Sequence, residues 1–215
     1  MTDLVPFSTA LRERSRTAHS GSESAGFMDD LMRGRGTRED YVALVAQHWF
    51  IYDALEDVGE RMRDSPIAAP FLSDKLTRLP ALEADLAFLI GPDWREHIAP
   101  LPTTVRYVDR IREVGATWPG GFVAHHYTRY LGDLSGGQFI GKLMARQFGF
   151  ETNGIGFYLF AEIADPASFK DVYRDRLDAA GWDAAERERV IDEVLLAYQL
   201  NTDLFADLAA ARSAA

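Results

Sequence analysis

The side chains best suited to chemistry in this sequence are a carboxylate among glycines and a small set of histidines. Asp133 follows Gly132 and precedes Gly136 and Gly137, between segments whose apolar residues recur at three- and four-residue spacings typical of helix. A carboxylate on an otherwise apolar helix is costly to bury unless it holds water or another partner. Asp133 is therefore a candidate functional residue.

The glycines around Asp133 are unusual for a helix. Gly132, Gly136, Gly137 and Gly141 lie within one predicted helix, and each costs roughly 0.8–1 kcal/mol relative to alanine in a helix interior. Glycine removes the side-chain wall, so a backbone can lie against a flat ligand or closely against another helix. From this pattern alone, a ligand platform and close helix packing through small residues both remain open.

The chain contains five histidines, which are His19, His48, His97, His125 and His126. Glu23 follows His19 by four residues and could meet the imidazole from the same side of a helix, although many such pairs are ordinary surface contacts. A carboxylate on the second ring nitrogen commonly orients a metal-ligating imidazole. The His125-His126 pair could bind metal, but no residue at a recognised spacing completes a zinc set. The position of His48 is typical of a half-buried histidine or of a core histidine whose hydrogen bonds are satisfied.

Composition excludes several classes of protein. Among 215 residues, 23 are basic and 33 acidic, for a net charge of −10, and the basic residues are scattered, so nucleic acid is not an expected partner. The absence of cysteine excludes disulfides and cysteine-bound iron–sulfur clusters. Phosphate-binding, dinucleotide, nucleophile-elbow, zinc-protease and di-iron motifs are absent. Without a signal peptide or a long apolar run, we expect a soluble, cytoplasmic protein with no membrane anchor.

The periodicity predicts helices throughout the chain, and all nine prolines fall where a helix would begin or end. The predicted helices run from Ser8 to about His19 or Ser20, from about Ser22 to Arg33, from Thr37 to about Met62, in two shorter pieces between Ile67 and Gly91, from about Thr103 to Val114, from Gly121 to near Gly149, from about Pro166 to Ala180, and from Asp183 onward. Ser8 is expected to cap the first helix, and Thr37 with Asp40 and Asp183 with Glu186 have capping-box spacing. Residues 153–160 are expected to be irregular or briefly extended, and they form the only stretch that could be a strand. We therefore expect a single all-α domain spanning residues 1–215.

One long run resembles the signature of the haem oxygenase family, namely Ala124-His125-His126-Tyr127-Thr128-Arg129-Tyr130-Leu131-Gly132-Asp133-Leu134-Ser135-Gly136-Gly137-Gln138. The segment Thr17-Ala18-His19, with Glu23 and Phe27-Met28, resembles the proximal segment of that family, and residues 169–174 and 200–205 resemble its closing helices. In lacking a C-terminal membrane tail, the sequence resembles the soluble bacterial members of the family. The resemblance implies a single-domain multi-helix fold with haem between a proximal helix and a kinked, glycine-rich distal helix.

The resemblance also implies roles for individual residues. His19 would be the axial iron ligand with Glu23 as its orienting partner, and Gly132 and Gly136 would form the distal wall. Asp133 would hold a distal water that delivers protons to O₂, within a network formed by Tyr52, Thr128, Arg129 and Asn201. The haem propionates would meet Arg12, Lys170, Arg174 and Tyr127, and further haem contacts would come from Ser135 and Tyr198.

The activity implied is oxidative cleavage of haem b, which serves as both substrate and cofactor, by O₂ and electrons to biliverdin, CO and ferrous iron. The α isomer of biliverdin is the usual family outcome. Because no flavin, nicotinamide or iron–sulfur motif is present, electrons would come from an external ferredoxin or flavoprotein reductase, for which Lys142 and Arg146 could form part of a docking patch. Two alternatives are a non-catalytic haem carrier or sensor on the same fold and a helical interaction module.

Overall fold

The computed structural model describes residues 5–23 and 26–214, and these residues are helical for most of their length. The α-helices are α1 (Phe7–Glu23), α2 (Gly26–Met32), α3 (Arg38–Arg61), α4 (Leu79–Leu89), α5 (Trp94–His97), α6 (Pro102–Thr117), α7 (Pro119–His126), α8 (Gln138–Phe148), α9 (Pro166–Asp178) and α10 (Ala184–Ala214). Short 3₁₀ turns occupy Ala69–Phe71, Asp74–Leu76 and Gly156–Tyr158. The described residues contain no strand, so the all-α prediction is confirmed and the extended alternative for residues 153–160 is wrong.

Local side-chain hydrogen bonds explain where several helices begin. The Thr37 hydroxyl accepts from the Asp40 backbone N–H, and the Asp40 carboxylate accepts from the Thr37 N–H, which confirms the predicted capping box of α3. Asp183 accepts from the backbone N–H of Glu186 at the start of α10. The capping role predicted for Ser8 is wrong, because α1 already begins at Phe7. Ser8 instead donates its N–H and hydroxyl to Asp178 on α9, at 2.7 and 2.9 Å, which ties α1 to α9.

The glycine-bearing helix comprises residues 119–148, and it is wound irregularly at its centre. Between α7 and α8 lie two π-helical segments, Tyr127–Leu131 and Asp133–Gly137, which meet at Gly132. Two hydroxyls bond back one turn within this region, Thr128 to the Ala124 carbonyl at 2.9 Å and Ser135 to the Leu131 carbonyl at 2.7 Å. Such back-bonding bends helices, and π-segments are frequent at functional sites. At the junction of the two π-helical segments, Gly132 leaves open space where another residue would place a side chain.

The packing of α10 holds the fold together and places the other helices around the site. This helix packs against α1, α2, α6 and α7, while α3 packs against α4 and α6. The apolar residues buried between them include Leu11, Tyr41, Ile51, Phe122 and Val194. Their burial supplies the main driving force for folding, at roughly 1.5–3 kcal/mol for each large apolar side chain. Within residues 5–23 and 26–214, no helix is both long and apolar enough to cross a membrane.

Candidate functional site

A cleft separates α1 from the glycine-bearing helix, and it consists of two adjoining cavities. The inner cavity has a volume of about 120 Å³ and the outer cavity about 230 Å³. His19, Gly132 and Tyr198 line both of them, which makes the cavities one continuous site. Since His19 lies on α1 and Gly132 at the kink, the cleft brings together the two segments that the resemblance singled out.

The imidazole of His19 lies across the cleft from bare backbone. Its ring packs edge-on against the Tyr198 ring of α10, with centroids 5.5 Å apart and an interplanar angle of 78°. A Cβ built at Gly132 would meet no atom within 4 Å, so this glycine borders open space. An imidazole on one side and side-chain-free helix on the other suit a flat, metal-centred ligand. The Glu23 side chain, the predicted partner of His19, lies outside the described residues.

The four glycines between residues 132 and 141 have different roles. Gly136, like Gly132, lines the inner cavity. Gly137 lines the same cavity, and a Cβ there would make only an ordinary contact, 3.4 Å from Cδ1 of Tyr158. By contrast, a Cβ at Gly141 would lie 2.7 Å from Cβ of Tyr158. The ligand-platform interpretation therefore fits the first part of the helix, and the close-packing interpretation fits the second part.

A hydrogen-bonded polar cluster surrounds Asp133 at the inner cavity. The Tyr52 hydroxyl donates to the Asp133 carboxylate. The guanidinium of Arg129 lies over the Tyr52 ring, 5.0 Å from its centroid, and donates from Nη1 to Oδ1 of Asn201 at 3.0 Å. Thr128 also lines the inner cavity, although its hydroxyl is already used by a backbone carbonyl one turn earlier. The fold thus brings together all five residues of the predicted network, from α3, α10 and the glycine-bearing helix.

Burial dominates the electrostatics of this cluster. It raises the pKa of Asp133 from 3.8 to about 6, against the opposing effects of the nearby Arg129 charge and the Tyr52 hydrogen bond. Burial also raises the pKa of Tyr52 well above its usual value, so the phenol stays protonated and remains a donor. A carboxyl group with a pKa near 6 exchanges protons readily at neutral pH, which is the property that a proton-handling group needs.

The outer cavity is rich in cations. Arg12 and Arg174 line it together with Tyr127 and Ser135, as the resemblance implied for the propionate end of the site. Arg174 also donates to Asp171 at 2.6 Å on its own helix, and burial raises the pKa of Tyr127. Charged donors at the mouth of a cleft suit the carboxylates of a ligand.

Lys170 departs from the predicted set. It does not line either cavity of the cleft, and its Nζ donates to the Ser135 hydroxyl at 3.0 Å. Arg16, which was not among the predicted residues, does line the outer cavity. A signal for it was present in the sequence, because Arg16 follows Arg12 by four residues and shares its helix face.

Other residues of the site were also missed, among them three that line the inner cavity. His48 and Leu44 line the inner cavity from α3, one and two turns before Tyr52 on the same helix face, so helical spacing could have found them. Tyr158 reaches the same cavity from the 3₁₀ turn at Gly156–Tyr158. No periodic signal in the sequence predicts that contact, since the turn is placed by distant parts of the chain.

The paired histidines are structural. His125 is fully buried and its Nε2 lies 2.8 Å from Oε1 of Glu193, while Nδ1 of His126 lies 2.9 Å from the Tyr173 hydroxyl. Burial lowers the pKa of His126 to about 3, so it is neutral. The described part of the chain contains no group of three or more His, Asp or Glu side chains able to hold a metal ion. The metal alternative for this pair therefore gains no support.

Known proteins with this sequence pattern and fold identify the family. The family model described as Heme oxygenase matches residues 5–207. Heme oxygenase 1 of Homo sapiens is 43% identical over 211 residues, covering 96% of this chain and 73% of that protein. Heme oxygenase 1 of Synechocystis sp. is 37% identical over 204 residues, covering 95% of this chain and 85% of that protein. The crystal structure of heme oxygenase-1 from Synechocystis sp. in complex with heme matches with a TM-score of 0.91 at 37% identity, covering 95% of this chain and 92% of that one.

The chain belongs to the heme oxygenase family. It is a haem-degrading enzyme with the all-α fold of that family, so the resemblance found in its sequence is confirmed.

Proposed function

We propose that this enzyme binds haem in the cleft between α1 and the glycine-bearing helix, with His19 as the axial iron ligand. The observation that carries this proposal is that the His19 imidazole and the open backbone at Gly132 line the same two adjoining cavities. A macrocycle could lie directly against the backbone at Gly132, where even an added Cβ would meet no atom within 4 Å. Haem, when bound, would supply both the iron that activates O₂ and the carbon bridge that is cleaved.

The propionates of haem would lie in the outer cavity. Arg12 and Arg174 offer guanidinium groups there, with the Tyr127 hydroxyl beside them. Arg16 is available as a third cation at the same cavity. Guanidinium groups bind carboxylates in a fixed, often bidentate geometry, so these contacts would set the rotation of haem in its plane. In this arrangement Lys170 would act indirectly, by holding the Ser135 hydroxyl at the cavity edge.

Asp133 would handle protons at the inner cavity. Its carboxylate accepts from the Tyr52 hydroxyl, and the raised pKa of about 6 lets it bind and release a proton near neutral pH. The hydrogen bond between the buried side chains of Arg129 and Asn201 would fix the wall of the cavity beside the Asp133 carboxylate. A water bonded to Asp133 would thereby be positioned to pass protons toward the ligand. A haem carrier would not need this network.

The proposal also covers the co-substrate, the product and the electron donor of the reaction. We expect O₂ as co-substrate, the α isomer of biliverdin as product, and electrons from an external ferredoxin or flavoprotein reductase. Lys142 and Arg146 are both exposed on α8, as a docking patch requires. Haem degradation of this kind fits a cytoplasmic enzyme, in contact with reductases of that compartment.

The first test is an absorption titration of the purified protein with haemin, followed by addition of a reductase or ascorbate in air. We expect one histidine-ligated haem per chain, and its band should give way to that of biliverdin. His19→Ala should lose the histidine-ligated spectrum and regain it with added imidazole. A haem complex that persists with a competent electron donor would instead support a carrier or sensor, and weak or non-stoichiometric binding would contradict the cleft as a haem site.

A further inference from the structure

A third cavity lies beside the glycine-bearing helix and is separate from the cleft. Its volume is about 270 Å³, and it shares no lining residue with the inner or the outer cavity. One wall comes from the second half of α3, another from residues 72–77, and a third from His126 and Tyr130. Ligand pockets commonly measure about 300–1,000 Å³, so this cavity suits a compact molecule.

Glu56 is a half-buried carboxylate in the third cavity, and it has no ion pair within residues 5–23 and 26–214. Its Oε1 accepts from the backbone N–H groups of Arg78 and Leu79 and from the Tyr130 hydroxyl. The Arg78 guanidinium donates instead to the backbone carbonyls of residues 76, 157 and 159. Burial raises the pKa of Glu56, against the opposing effects of its hydrogen bonds and of the Arg78 charge. A cation beside Oε2, which bonds to no described residue, would therefore offset the cost of burying this charge.

His126 contributes a second polar group that is not fully satisfied. The residue is 3% exposed, and its Nδ1 lies 2.9 Å from the Tyr173 hydroxyl. Nε2 bonds to no described residue, yet it is not sealed inside the protein as Nδ1 of His125 is, and the ring lines the third cavity. Burial lowers the pKa of His126 to about 3, so the ring is neutral. With its proton on Nδ1, the ring presents Nε2 as a hydrogen-bond acceptor.

The two unsatisfied groups are neighbours through Tyr130. The Tyr130 hydroxyl donates to Glu56 at 3.3 Å, and its ring centroid lies 4.5 Å from that of His126. Two acceptors, Oε2 of Glu56 and Nε2 of His126, therefore line one small cavity. A ligand that bonds to both must carry more than one donor hydrogen on a compact group, as an ammonium ion does.

The mouth of the third cavity is acidic. Glu60 and Asp74 have side chains that are 67% and 79% exposed, and both pair with Arg63, whose Nε and Nη2 are thereby used. With Glu56, the cavity carries three carboxylates against one guanidinium, so its field attracts cations. Within the described ranges no group of three or more His, Asp or Glu side chains could hold a metal ion. An organic cation therefore fits the cavity better than a metal ion does.

We propose that the third cavity is a second ligand site, which binds a small organic ammonium ion through Oε2 of Glu56 and Nε2 of His126. The short apolar body of the ligand would lie against Leu55 and Leu76 in the same cavity. This site does not depend on the function proposed above, because none of its lining residues belongs to the cleft.

Nuclear magnetic resonance of the apo-protein labelled with ¹⁵N-histidine tests the site, with butylammonium as the probe. We expect a saturable shift of the His126 ring nitrogens, with Nε2 moving as an accepting nitrogen does, at the millimolar concentrations usual for so small a ligand. Butanol and butyrate have a similar apolar chain without the positive charge, so they should leave these signals in place. The exposed ring of His97 is an internal reference for non-specific association. No shift at His126, or an equal shift with butanol, would overturn the proposal.

Glu56→Gln tests the role of the carboxylate charge. Glutamine keeps an oxygen that can accept from the N–H groups of Arg78 and Leu79, but it should weaken butylammonium binding about tenfold or more, because a hydrogen bond between charged groups is lost. Glu39→Gln makes the same substitution at an exposed position near the start of α3, and it should leave the affinity unchanged. An unchanged affinity in Glu56→Gln would also overturn the proposal. If that variant failed to fold, the comparison of butylammonium with butanol on the parent protein would decide.

Discussion

Replacing Asp133 by asparagine should stabilise the apo-protein at neutral pH, although it removes a group proposed for catalysis. The folded protein holds the pKa of this carboxyl at about 6, against 3.8 for the ordinary side chain. The folded state therefore binds the proton more tightly than the unfolded chain does. The free energy of unfolding contributed by Asp133 is highest at acid pH, falls as pH rises from 3.8 to about 6, and stays low above that.

The size of the effect follows from the pKa difference. About two pKa units at roughly 1.36 kcal/mol each correspond to about 3 kcal/mol at pH 7. Because Asp133 retains some exposure to the cavity, we expect the lower part of the range from about 1 to 3 kcal/mol. Asparagine keeps an oxygen that can accept from the Tyr52 hydroxyl, so the variant loses the buried charge without losing the fold. Groups that serve function at the expense of stability are common in active sites.

Urea unfolding of parent and Asp133→Asn apo-proteins between pH 4 and 7.5 measures this difference. The stability advantage of the variant should be near zero at pH 4 and should grow through pH 6. In a Tyr52→Phe background, the rise should begin at the same pH but continue to higher pH and reach a larger value, because the hydrogen bond that lowers the folded-state pKa of Asp133 is gone. A pH-independent difference between parent and variant, or a variant less stable at pH 7 than at pH 4 relative to the parent, would refute the reasoning.

Two further predictions concern glycine placement and a buried ion pair. Gly132→Ala should raise the unfolding free energy of the apo-protein by up to about 1 kcal/mol. The same variant should bind haemin more weakly. Gly141→Ala should instead lower the unfolding free energy by about 1–3 kcal/mol, because the added methyl group would overpack against Tyr158. Urea unfolding and haemin titration of each variant would check these effects. Equal effects at the two glycines would contradict the assignment of Gly132 to the cleft and of Gly141 to close packing. Glu193→Gln should cost about 1.5–3 kcal/mol, because the buried Glu193 carboxylate loses the charge that strengthens its contacts with Arg110, at 2.6 and 2.9 Å, and with His125, at 2.8 Å. Arg110 keeps its ion pair with Glu113. Thermal unfolding measures this cost, and an unchanged midpoint would count against it.

Local interactions account for most of what the sequence predicts correctly about the fold. The Thr37 and Asp40 capping box uses side chains three residues apart, and the end of α8 uses Gly149 at a positive φ of 72°. Helical periodicity likewise depends on neighbours within one or two turns. The run around Asp133 indicates the family directly, because its residues are contiguous in the sequence. These features could therefore be predicted from the sequence without knowing how the helices pack.

The sequence-based predictions failed, or missed residues of the site, where segments distant in the chain come into contact. Ser8 has the residue type of a helix cap, but Asp178, far along the chain, captures its hydroxyl. The turn that carries Tyr158 is held by the Asp85 carboxylate, which accepts from three backbone N–H groups of residues 154, 156 and 157. Neither contact has a short-range signature.

The sequence by itself determined the all-helical class, some helix ends, such as the start of α3 and the end of α8, and the haem oxygenase family, because each depends on residue types at short separations. Only the tertiary structure decided which glycines border the cleft and which pack against a side chain, since a glycine leaves the same local pattern in either case. It also decided that His48 is buried and lines the same cavity as Asp133. Packing between distant helices creates both the open space and the isolation of buried polar groups, and neither is encoded in a local pattern.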